Sequence, residues 1–373
     1  MIEIVEVTTR KQIKDFIEFP LNLYKDNPYF VPPLYMDEKK LFKKNAFSEQ
    51  CETVYYNAYL DGQIVGRISG ILQRVSNVKW HQKRVRFTRF DAIDNQKVAD
   101  ALFKAVEAWA KSKGMEEVVG PLGFTDLERE GLLIEGFEYL STFEEQYNAP
   151  YYQKLIENCG YVKEVDWLEH RIYPPQEVDE RVLRLNDRIM ERYHLRLVDC
   201  KTVNEFIKRY KDQFFDILDK TYNDIYGVVP LTDSMKKDAI NGFKALLTMD
   251  YIKAVVDEND QIVSFGITFP GIGTAVQKSG GRLTLPTIIK IKKAVKHPKT
   301  LDFGLVGVVD EYRAKGAGAI MFAMLLTYLK DTKVEYAETN LNLETNQAII
   351  NQWKNFDHIQ HKRRRSFVKN INN

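Results

Sequence analysis

Two stretches of alternating apolar and polar residues, 54–71 and 251–268, each predict a β-hairpin. Each begins with a run of β-branched and aromatic residues, passes through a polar turn ending in Gln-Ile-Val, and continues as a second apolar run. The pattern after each hairpin then changes to strand, helix, strand. Because the whole order of elements repeats, the sequence predicts two mixed α/β units in tandem.

In the first half, this later part consists of a strand at 86–90, a helix at 98–113 and a strand at 117–120. The helix carries an apolar stripe at helical spacing, formed by Val98, Leu102, Ala105, Val106 and Trp109. Such a stripe has to be buried against a sheet. One large sheet with accidental similarity between its halves is the alternative, and the repeat disfavours it.

In the second half, the corresponding elements are a strand at 305–309, a glycine-led helix running to 329 and a strand at 334–338. An insertion at 271–301 precedes them and contains a basic helical stretch, 288–296. Insertions of this length are often functional lids. A solvated helix covering a sheet edge is an equally good interpretation, and the sequence leaves both open.

A proline pair marks the predicted boundary between the units. With 373 residues the chain is long enough for two cores. Prolines stop regular structure, and Pro174 and Pro175 follow the last strand pattern of the first half. We therefore predict an N-terminal unit of residues 1–175 and a C-terminal unit of residues 176–373.

The turn before the second-half helix holds Arg313, Lys315, Gly316 and Gly318. Backbone N–H groups at a helix start lack intrahelical partners, and the helix dipole adds partial positive charge. Glycines let a ligand approach the backbone closely. This turn is therefore predicted to receive a diphosphate. The matching turn of the first half, 91–96, has two aspartates and no glycine, so we expect no such ligand there.

Composition adds mainly exclusions. The formal net charge of +2 gives no general attraction to nucleic acid or membrane, and no apolar run is long enough to span a bilayer. The N-terminus lacks a secretory pattern. Three cysteines and six histidines are scattered without metal-ligand or disulfide spacing. We expect a cytoplasmic protein that uses no metal.

The Arg-x-x-Gly-x-Gly turn after a strand resembles the acyl-CoA signature of GCN5-related N-acetyltransferases (GNAT). A second motif of that family, an asparagine near a helix start with an aromatic residue seven positions later, is matched by Asn346 and Trp353. The resemblance implies two tandem GNAT-like α/β domains. It implies a mixed sheet in which two parallel strands, holding Val308 and Glu338, splay apart around acetyl-CoA or another acyl-CoA. The residues it places against the cofactor are Val308, Arg313, Ala314, Lys315, Gly316, Ala317, Gly318, Ala319 and Asn346.

The whole chain also resembles a poorly characterised bacterial group of tandem GNAT-like acyltransferases. The matching phrases are residues 27–34, 131–137, 148–152 and 281–283. This resemblance implies acyl-CoA-dependent transfer, and it leaves the acceptor unnamed.

Catalytic roles are predicted for two residues. Trp353 stands where many GNAT members have a tyrosine that protonates the leaving thiolate, and an indole N–H is a negligible acid. Packing in the core is its alternative role. Glu338, at the end of a strand beside the splay, is the first choice for a base that accepts the amine proton, with a pKa raised by partial burial. A surface carboxylate is the competing interpretation.

Three acids of the first half, Asp126, Glu130 and Glu135, are predicted to line an acceptor pocket that attracts a cationic amine, with plain loop solvation as the alternative. The basic run 362–365 is interpreted as a closing strand with a basic outer face, and contact with the 3′-phosphate of CoA is a further possibility. We expect no nucleic-acid partner.

These features favour an N-acyltransferase that joins acyl-CoA and a small-molecule or peptide amine in a ternary complex, with acetyl transfer as the expected reaction. The first half is expected to form the acceptor side or a homodimer surface. Two alternatives stay open. One is a catalytically inactive acyl-CoA sensor or scaffold, suggested by Trp353. The other is an aminoacyl transferase of the peptidoglycan-bridge type, although the long coiled-coil insertion typical of that class is not visible.

Overall fold

The computed structural model describes residues 1–372. Its first half begins with a strand at the edge of the sheet and ends with a long strand. Its strands are β1 (Ile2–Glu6), β2 (Cys51–Leu60), β3 (Gln63–Gln73), β4 (Arg84–Ala92), β5 (Glu117–Gly120), β6 (Leu132–Glu135) and β7 (Val162–Ile172). Its helices are α1 (Arg10–Leu23), α2 (Tyr35–Lys40), α3 (Arg74–Lys79), α4 (Gln96–Ser112) and α5 (Tyr152–Asn158).

The second half repeats this order after an additional helix. Its strands are β8 (Arg196–Leu197), β9 (Ile252–Val256), β10 (Ile262–Pro270), β11 (Thr300–Val308), β12 (Tyr336–Glu338), β13 (Asn342–Leu343) and β14 (His358–Asn370). Its helices are α6 (Glu180–Arg192), α7 (Val203–Tyr222), α8 (Asp233–Phe243), α9 (Gly273–Gln277), α10 (Leu285–Lys296), α11 (Asp310–Arg313), α12 (Ala317–Thr332) and α13 (Gln347–Trp353), with a 3₁₀ turn at Lys244–Leu246. Among residues 1–372, every helix is too short or too polar to cross a bilayer.

All the strands join one mixed sheet, in the order β1-β2-β3-β4-β5-β14-β7-β12-β11-β10-β9-β8, with β6 beside β14 and β13 beside β7. Within the described residues, two pairs are parallel, β4 with β5 and β11 with β12. The predicted mixed α/β class with two tandem units is confirmed, since each half holds one parallel pair at the same point of its repeat. The two predicted hairpins are β2-β3 and β9-β10.

The two halves exchange their last strands. The C-terminal strand β14 lies next to β5 of the first half, where Phe367 is opposite Gly120. Strand β7 of the first half lies next to β12 of the second half, where Ile172 is opposite Ala337. The polypeptide boundary near residue 175 stays a prediction, but in space each half is completed by a strand of the other.

Helix α4 buries its apolar stripe as its sequence predicts. Val98, Leu102 and Val106 are fully buried in the first-half core. The helix lies close to the sheet because β3 presents glycine beneath it. A Cβ atom at Gly66 would lie 2.9 Å from Leu102 and 3.0 Å from Val98. A larger residue at this position would push the helix away from the sheet.

The insertion at 271–301 is anchored on the first half at its α9 end. The N–H group of Tyr35 donates to the Gly281 carbonyl (3.0 Å), and Arg282 pairs with Glu18 (3.0 Å). Gly281 has φ +74°, and a Cβ there would lie 1.9 Å from the Pro33 carbonyl oxygen. Two of the sequence phrases singled out above, 27–34 and 281–283, therefore contact each other directly.

The basic run 362–365 lies on β14 as predicted, but the prediction that this strand has a basic outer face is wrong. Lys362 and Arg364 are fully buried, and Arg364 Nε lies 2.6 Å from Glu169. Arg363 and Arg365, which point to the opposite face, both pair with Asp166. These four cations therefore neutralise carboxylates where the halves meet, which argues against a nucleic-acid surface here.

We expect Arg364→Met to lower the free energy of unfolding by about 3–5 kcal/mol, because Glu169 would keep a buried charge without its closest partner. Urea unfolding followed by circular dichroism measures the loss. Arg184→Met, at an exposed pair with Glu180, is the control and should leave stability nearly unchanged. Equal midpoints for the two variants would show that the buried pair is not important for stability.

Candidate active site

Strands β11 and β12 diverge, as the splay prediction requires. They pair only through Thr300–Asp302 and Tyr336–Glu338. After Glu338 the chain turns towards β13, which pairs with β7, while β11 continues to Val308. This leaves a V-shaped opening along residues 304–308, without a strand partner on that side among the described residues.

Two side chains bridge the opening. Asn340 Nδ2 donates to the Gly304 carbonyl (3.0 Å). The Tyr222 hydroxyl, at the end of α7, donates to the Val306 carbonyl (3.1 Å) and accepts from the Val306 N–H (3.2 Å). Burial raises the pKa of Tyr222 to about 12, so its phenol is protonated at neutral pH. The sequence pattern gives no signal for this tyrosine, since its role depends on two segments 84 residues apart.

The glycine turn precedes α12, with the short helix α11 between it and β11. Gly316 is the residue before α12 and has φ +86°, a left-handed conformation that favours glycine. No side chain caps α12 within the described residues. The first N–H groups of a helix without such a cap are available to an anion. The uncapped helix start that the sequence predicts for a diphosphate site is therefore present at α12.

The two cations of the turn are both paired with acids one helical turn earlier. Arg313 lies 3.2 Å from Asp310, and Lys315 lies 2.6 Å from Glu311. All of these pairs lie at the surface, where such interactions are weak and exchange readily with a stronger anion. Arg313 and Lys315 alone would predict a strongly positive turn, but Asp310 and Glu311 neutralise part of that charge.

The two glycines have different surroundings. A Cβ at Gly316 would lie 3.1 Å from Ile189 of α6, whereas a Cβ at Gly318 would meet nothing within 4 Å. Ala317 is fully buried between them, while Ala314 is exposed and Ala319 is half-buried. The open approach to the turn is therefore on the Gly318 side.

Trp353 and Asn346 both have structural partners. The Trp353 indole N–H donates to Asn342 (2.8 Å), and its ring stacks on Phe303 at a centroid distance of 5.7 Å. Asn346 caps α13 by accepting from the Ile349 N–H (3.3 Å). Core packing explains the tryptophan, and the cofactor contact predicted for Asn346 stays a prediction.

The raised pKa expected for Glu338 is wrong. Burial alone would raise the pKa of this carboxyl, but Lys362 (2.7 Å), His361 (3.0 Å) and Arg171 (2.8 Å) outweigh burial and hold the pKa far below its usual value. A carboxylate held this way accepts a proton poorly at neutral pH. Glu338 therefore anchors the ion pairs that join β12 to β7 and β14.

Glu338, Glu169 and His361 are close enough to suggest a metal site, since their ligand atoms lie within 4.8 Å of one another. The ammonium group of Lys362 lies 2.7 Å from Glu338 and 3.7 Å from Glu169. Its positive charge stands where a metal ion would be needed. The cluster is therefore explained by its own lysine.

Two other carboxyls, Asp302 and Glu144, have a raised pKa, and no sequence motif identifies them. Asp302, opposite Glu338 in the register of the parallel pair, is buried, and its Oδ2 has no hydrogen-bond partner among residues 1–372. Burial, with Glu338 and Glu144 adding repulsion, holds its pKa well above the usual value. Burial also raises the pKa of Glu144 to about 7, against the opposing charge of Arg129. Glu144 is thus poised to exchange protons near neutral pH.

A cleft of about 230 Å³ lies between the two halves and reaches Tyr222. Lys79 and Asp126 of the first half face Leu218 and Tyr222 of the second half across it. Burial raises the pKa of Asp126. Because Tyr222 both lines the cleft and hydrogen-bonds Val306, the cleft and the opening meet at this phenol.

The three predicted acceptor residues are only partly brought together. Glu130 is buried close to Asp126, its Oε1 has no partner among the described residues, and burial holds its pKa well above the usual value. A Cβ at Gly227 of the second half would lie 3.5 Å from Glu130, so this residue is also at the seam. Glu135 instead lies at the surface and pairs with Arg363 (3.2 Å).

Similarity to known proteins decides the fold. A tandem GNAT protein from the clavulanic acid biosynthesis pathway superposes on 100% of this chain and 99% of its own, with a TM-score of 0.57 and 11% identity. A GCN5-related N-acetyltransferase from Sphaerobacter thermophilus covers 99% of this chain and 96% of its own, with a TM-score of 0.51 and 12% identity. The chain has a tandem GNAT fold. The GNAT resemblance drawn from the sequence is thereby confirmed at the level of the fold.

Two curated proteins are similar in sequence to this tandem GNAT chain over nearly its full length. Protein YghO of Escherichia coli is 28% identical over 370 residues, which cover 97% of this chain and 94% of that protein. The bacterial ceramide synthase of Caulobacter vibrioides is 22% identical over 380 residues, which cover 99% and 97%. No family model matches the chain. The fold and the ceramide synthase relative support an acyltransferase in general.

Proposed function

We propose that the protein is an acyl-CoA-dependent N-acyltransferase that transfers an acyl group to an amine in a ternary complex. One observation carries the proposal: the cleft between the halves meets the β11 opening at Tyr222. A donor in the opening and an acceptor in the cleft would approach each other at that point. Holding the two reactants side by side is the main requirement of a direct transfer.

The turn at residues 313–319 is assigned to the CoA diphosphate, with Val308 beside the pantetheine arm and Asn346 near it. The fit rests on the uncapped start of α12 and the open side of Gly318. The edge of β11 along residues 304–308 supports the placement of the pantetheine arm, because it has no strand partner among the described residues. The amides of the arm would replace the contacts that Asn340 and Tyr222 make with the backbone of Gly304 and Val306. The Arg313 and Lys315 side chains would exchange their acids for phosphate oxygens.

In the reaction, the amine nitrogen bonds to the thioester carbonyl carbon, and the carbon–sulfur bond breaks. Glu144 is assigned as the group that accepts the amine proton, since its Oε1 is buried without a hydrogen-bond partner among the described residues and burial raises its pKa to about 7. Tyr222 is assigned as the donor to the leaving thiolate, in place of a tyrosine at position 353. Trp353 is a negligible acid, and its N–H is already bonded to Asn342.

The acceptor is proposed to be an amine that carries an apolar chain. Leu127, Leu218, Val228 and Leu231 line the cleft together with two acids, Asp126 and Asp219. Lys79 also lines it, but its ammonium group donates to the carbonyls of Asn223 and Val228. Such a lining suits a cationic head and an apolar tail. The ceramide synthase relative supports the same class, because a ceramide is the amide of a long-chain amino alcohol.

We expect Asp126→Asn to raise the KM for the amine about tenfold, because the cleft would lose one of the two carboxylates that attract a cation. Initial rates over a range of amine concentrations measure this effect. Glu135→Gln, which removes an exposed acid outside the cleft, is the control and should leave KM unchanged. A KM that does not respond to the Asp126 change would remove this residue from the acceptor site.

The function itself is tested by measuring thiol release from acetyl-CoA and long-chain acyl-CoA with a panel of amines, beside calorimetry with CoA. Release that depends on an amine is expected. Binding of CoA without such release would instead favour an acyl-CoA sensor, for which the engaged Trp353 is the supporting observation. Absence of binding would refute both.

A further inference from the structure

The outer face of α10 and the turn before it leave large apolar side chains uncovered. Leu283 is 42% exposed, Leu285 72% and Ile289 59%, with Ile288 also exposed. The inner face of the same helix is already packed, since Thr287 is buried and Ile291 contacts the second-half core. The exposed residues, which we call the α10 surface, therefore have no role in the fold of the described chain. A contiguous exposed apolar patch marks an interaction site.

The same surface is strongly basic. Four lysines of α10, namely Lys290, Lys292, Lys293 and Lys296, are exposed, and none forms an ion pair with residues 1–372. No aspartate or glutamate occurs between Asp260 and Asp302. The formal net charge of the whole chain is only +2, so this segment is a local concentration of positive charge without a partner.

The lysines and the apolar residues share one side of the helix. Leu285, Ile289, Lys292 and Lys296 recur at the spacing of a single helical face. The apolar residues lie towards the N-terminal end and the lysines towards the C-terminal end. A lysine stem can lie along an apolar surface while its ammonium group reaches outwards.

We propose that the α10 surface binds the surface of a membrane that contains anionic lipid. A bilayer interface can accept both kinds of side chain at once, because the apolar residues enter below the lipid headgroups while the lysines lie among the headgroups. An acidic protein would satisfy the lysines and leave Leu285 and Ile289 without a reason to be exposed. The proposal is independent of the proposed catalytic activity, because α10 lies outside the cleft and the glycine turn.

The test is co-sedimentation of the full chain with phosphatidylcholine vesicles, with and without phosphatidylglycerol. We expect binding only to the anionic vesicles, weakened by added salt. Lys292→Gln combined with Lys296→Gln should weaken binding about 25-fold, at roughly fivefold per charge. Leu285→Ser combined with Ile289→Ser should weaken it at least tenfold.

Two control variants make the same kinds of substitution elsewhere on the surface. Lys104→Gln with Lys111→Gln on α4, and Leu185→Ser on α6, alter exposed residues outside the α10 surface and should bind as the unaltered protein does. Thermal unfolding shows that every variant is folded. An Ile289→Trp variant should shift its fluorescence to the blue on anionic vesicles. No sedimentation of the unaltered protein would overturn the proposal. A loss in the lysine variant alone would also overturn it, because the protein would then adsorb through charge without burying Leu285 and Ile289 in the bilayer.

Discussion

Replacing Gly318 with glutamate weakens CoA binding on the order of 100-fold or more and leaves the protein folded. The open space at Gly318 admits a side chain without a clash, so the new carboxylate would stand where the diphosphate is assigned. A like charge at contact distance costs about 4 kcal/mol at an effective dielectric constant of about 20. The fold should tolerate the change, since an acid in the first turn of a helix is favourable. Calorimetry with CoA measures the affinity.

Gly242→Glu is the matched control, because a Cβ at Gly242 also meets nothing within 4 Å, on helix α8. Its CoA affinity should equal that of the unaltered protein. Gly316 is a poorer choice for this test, since its φ of +86° and its contact with Ile189 would destabilise any substituted protein. Full affinity in Gly318→Glu would show that the diphosphate binds elsewhere.

Replacing Tyr222 with phenylalanine lowers the amine-dependent turnover number about 10²- to 10⁴-fold, the usual contribution of a positioned acid. Affinity for CoA should change little, because the opening and the turn stay as they are. Stopped-flow detection of the released thiol, with acyl-CoA saturating, separates the chemical step from binding. The aromatic ring remains in its packing site, so the change removes only the hydroxyl that contacts Val306.

Trp353→Phe provides the comparison, since it removes an indole N–H that donates to Asn342. We expect it to lower stability and to leave the turnover number of the folded protein within about threefold. The reverse result, with a large loss in Trp353→Phe and none in Tyr222→Phe, would return the acid role to position 353 and refute the assignment to α7.

Local patterns explain which parts of the fold the sequence predicts correctly. The hairpins β2-β3 and β9-β10 and the helix α4 each depend on residues close in the chain, so alternation and helical spacing are sufficient. Strand β11 is longer than the predicted 305–309, since residues 300–304 carry an aspartate and a glycine that hide the pattern. The parallel partner of β11 was predicted by the family resemblance.

The strand exchange between the halves has no local signal. The basic run of β14 has the composition of a solvated face, yet Lys362 and Arg364 are buried because carboxylates from β7 and β12 neutralise them. Those partners lie up to 195 residues away along the chain. Charge pairing over such distances is a property of topology, and composition alone cannot report it.

The candidate site was predictable to a similar degree. The glycine turn follows from its motif and the splayed strands from the family resemblance. The pKa of Glu338 was predicted wrongly because its three partners, Arg171, His361 and Lys362, come from other strands. Tyr222, Glu144 and Asp302 were missed for the same reason: each acquires its environment only when both halves are folded. The expectation of no membrane partner rested on net charge, and net charge conceals the local pattern of α10.

The most direct test is a crystal structure of the full chain grown with CoA. We expect electron density for the diphosphate at the start of α12, on the open side of Gly318, and for the pantetheine arm along residues 304–308 of β11. Density for CoA in the first half near residues 91–96, or an ordered crystal with no CoA at saturating concentration, would contradict the assignment of this site.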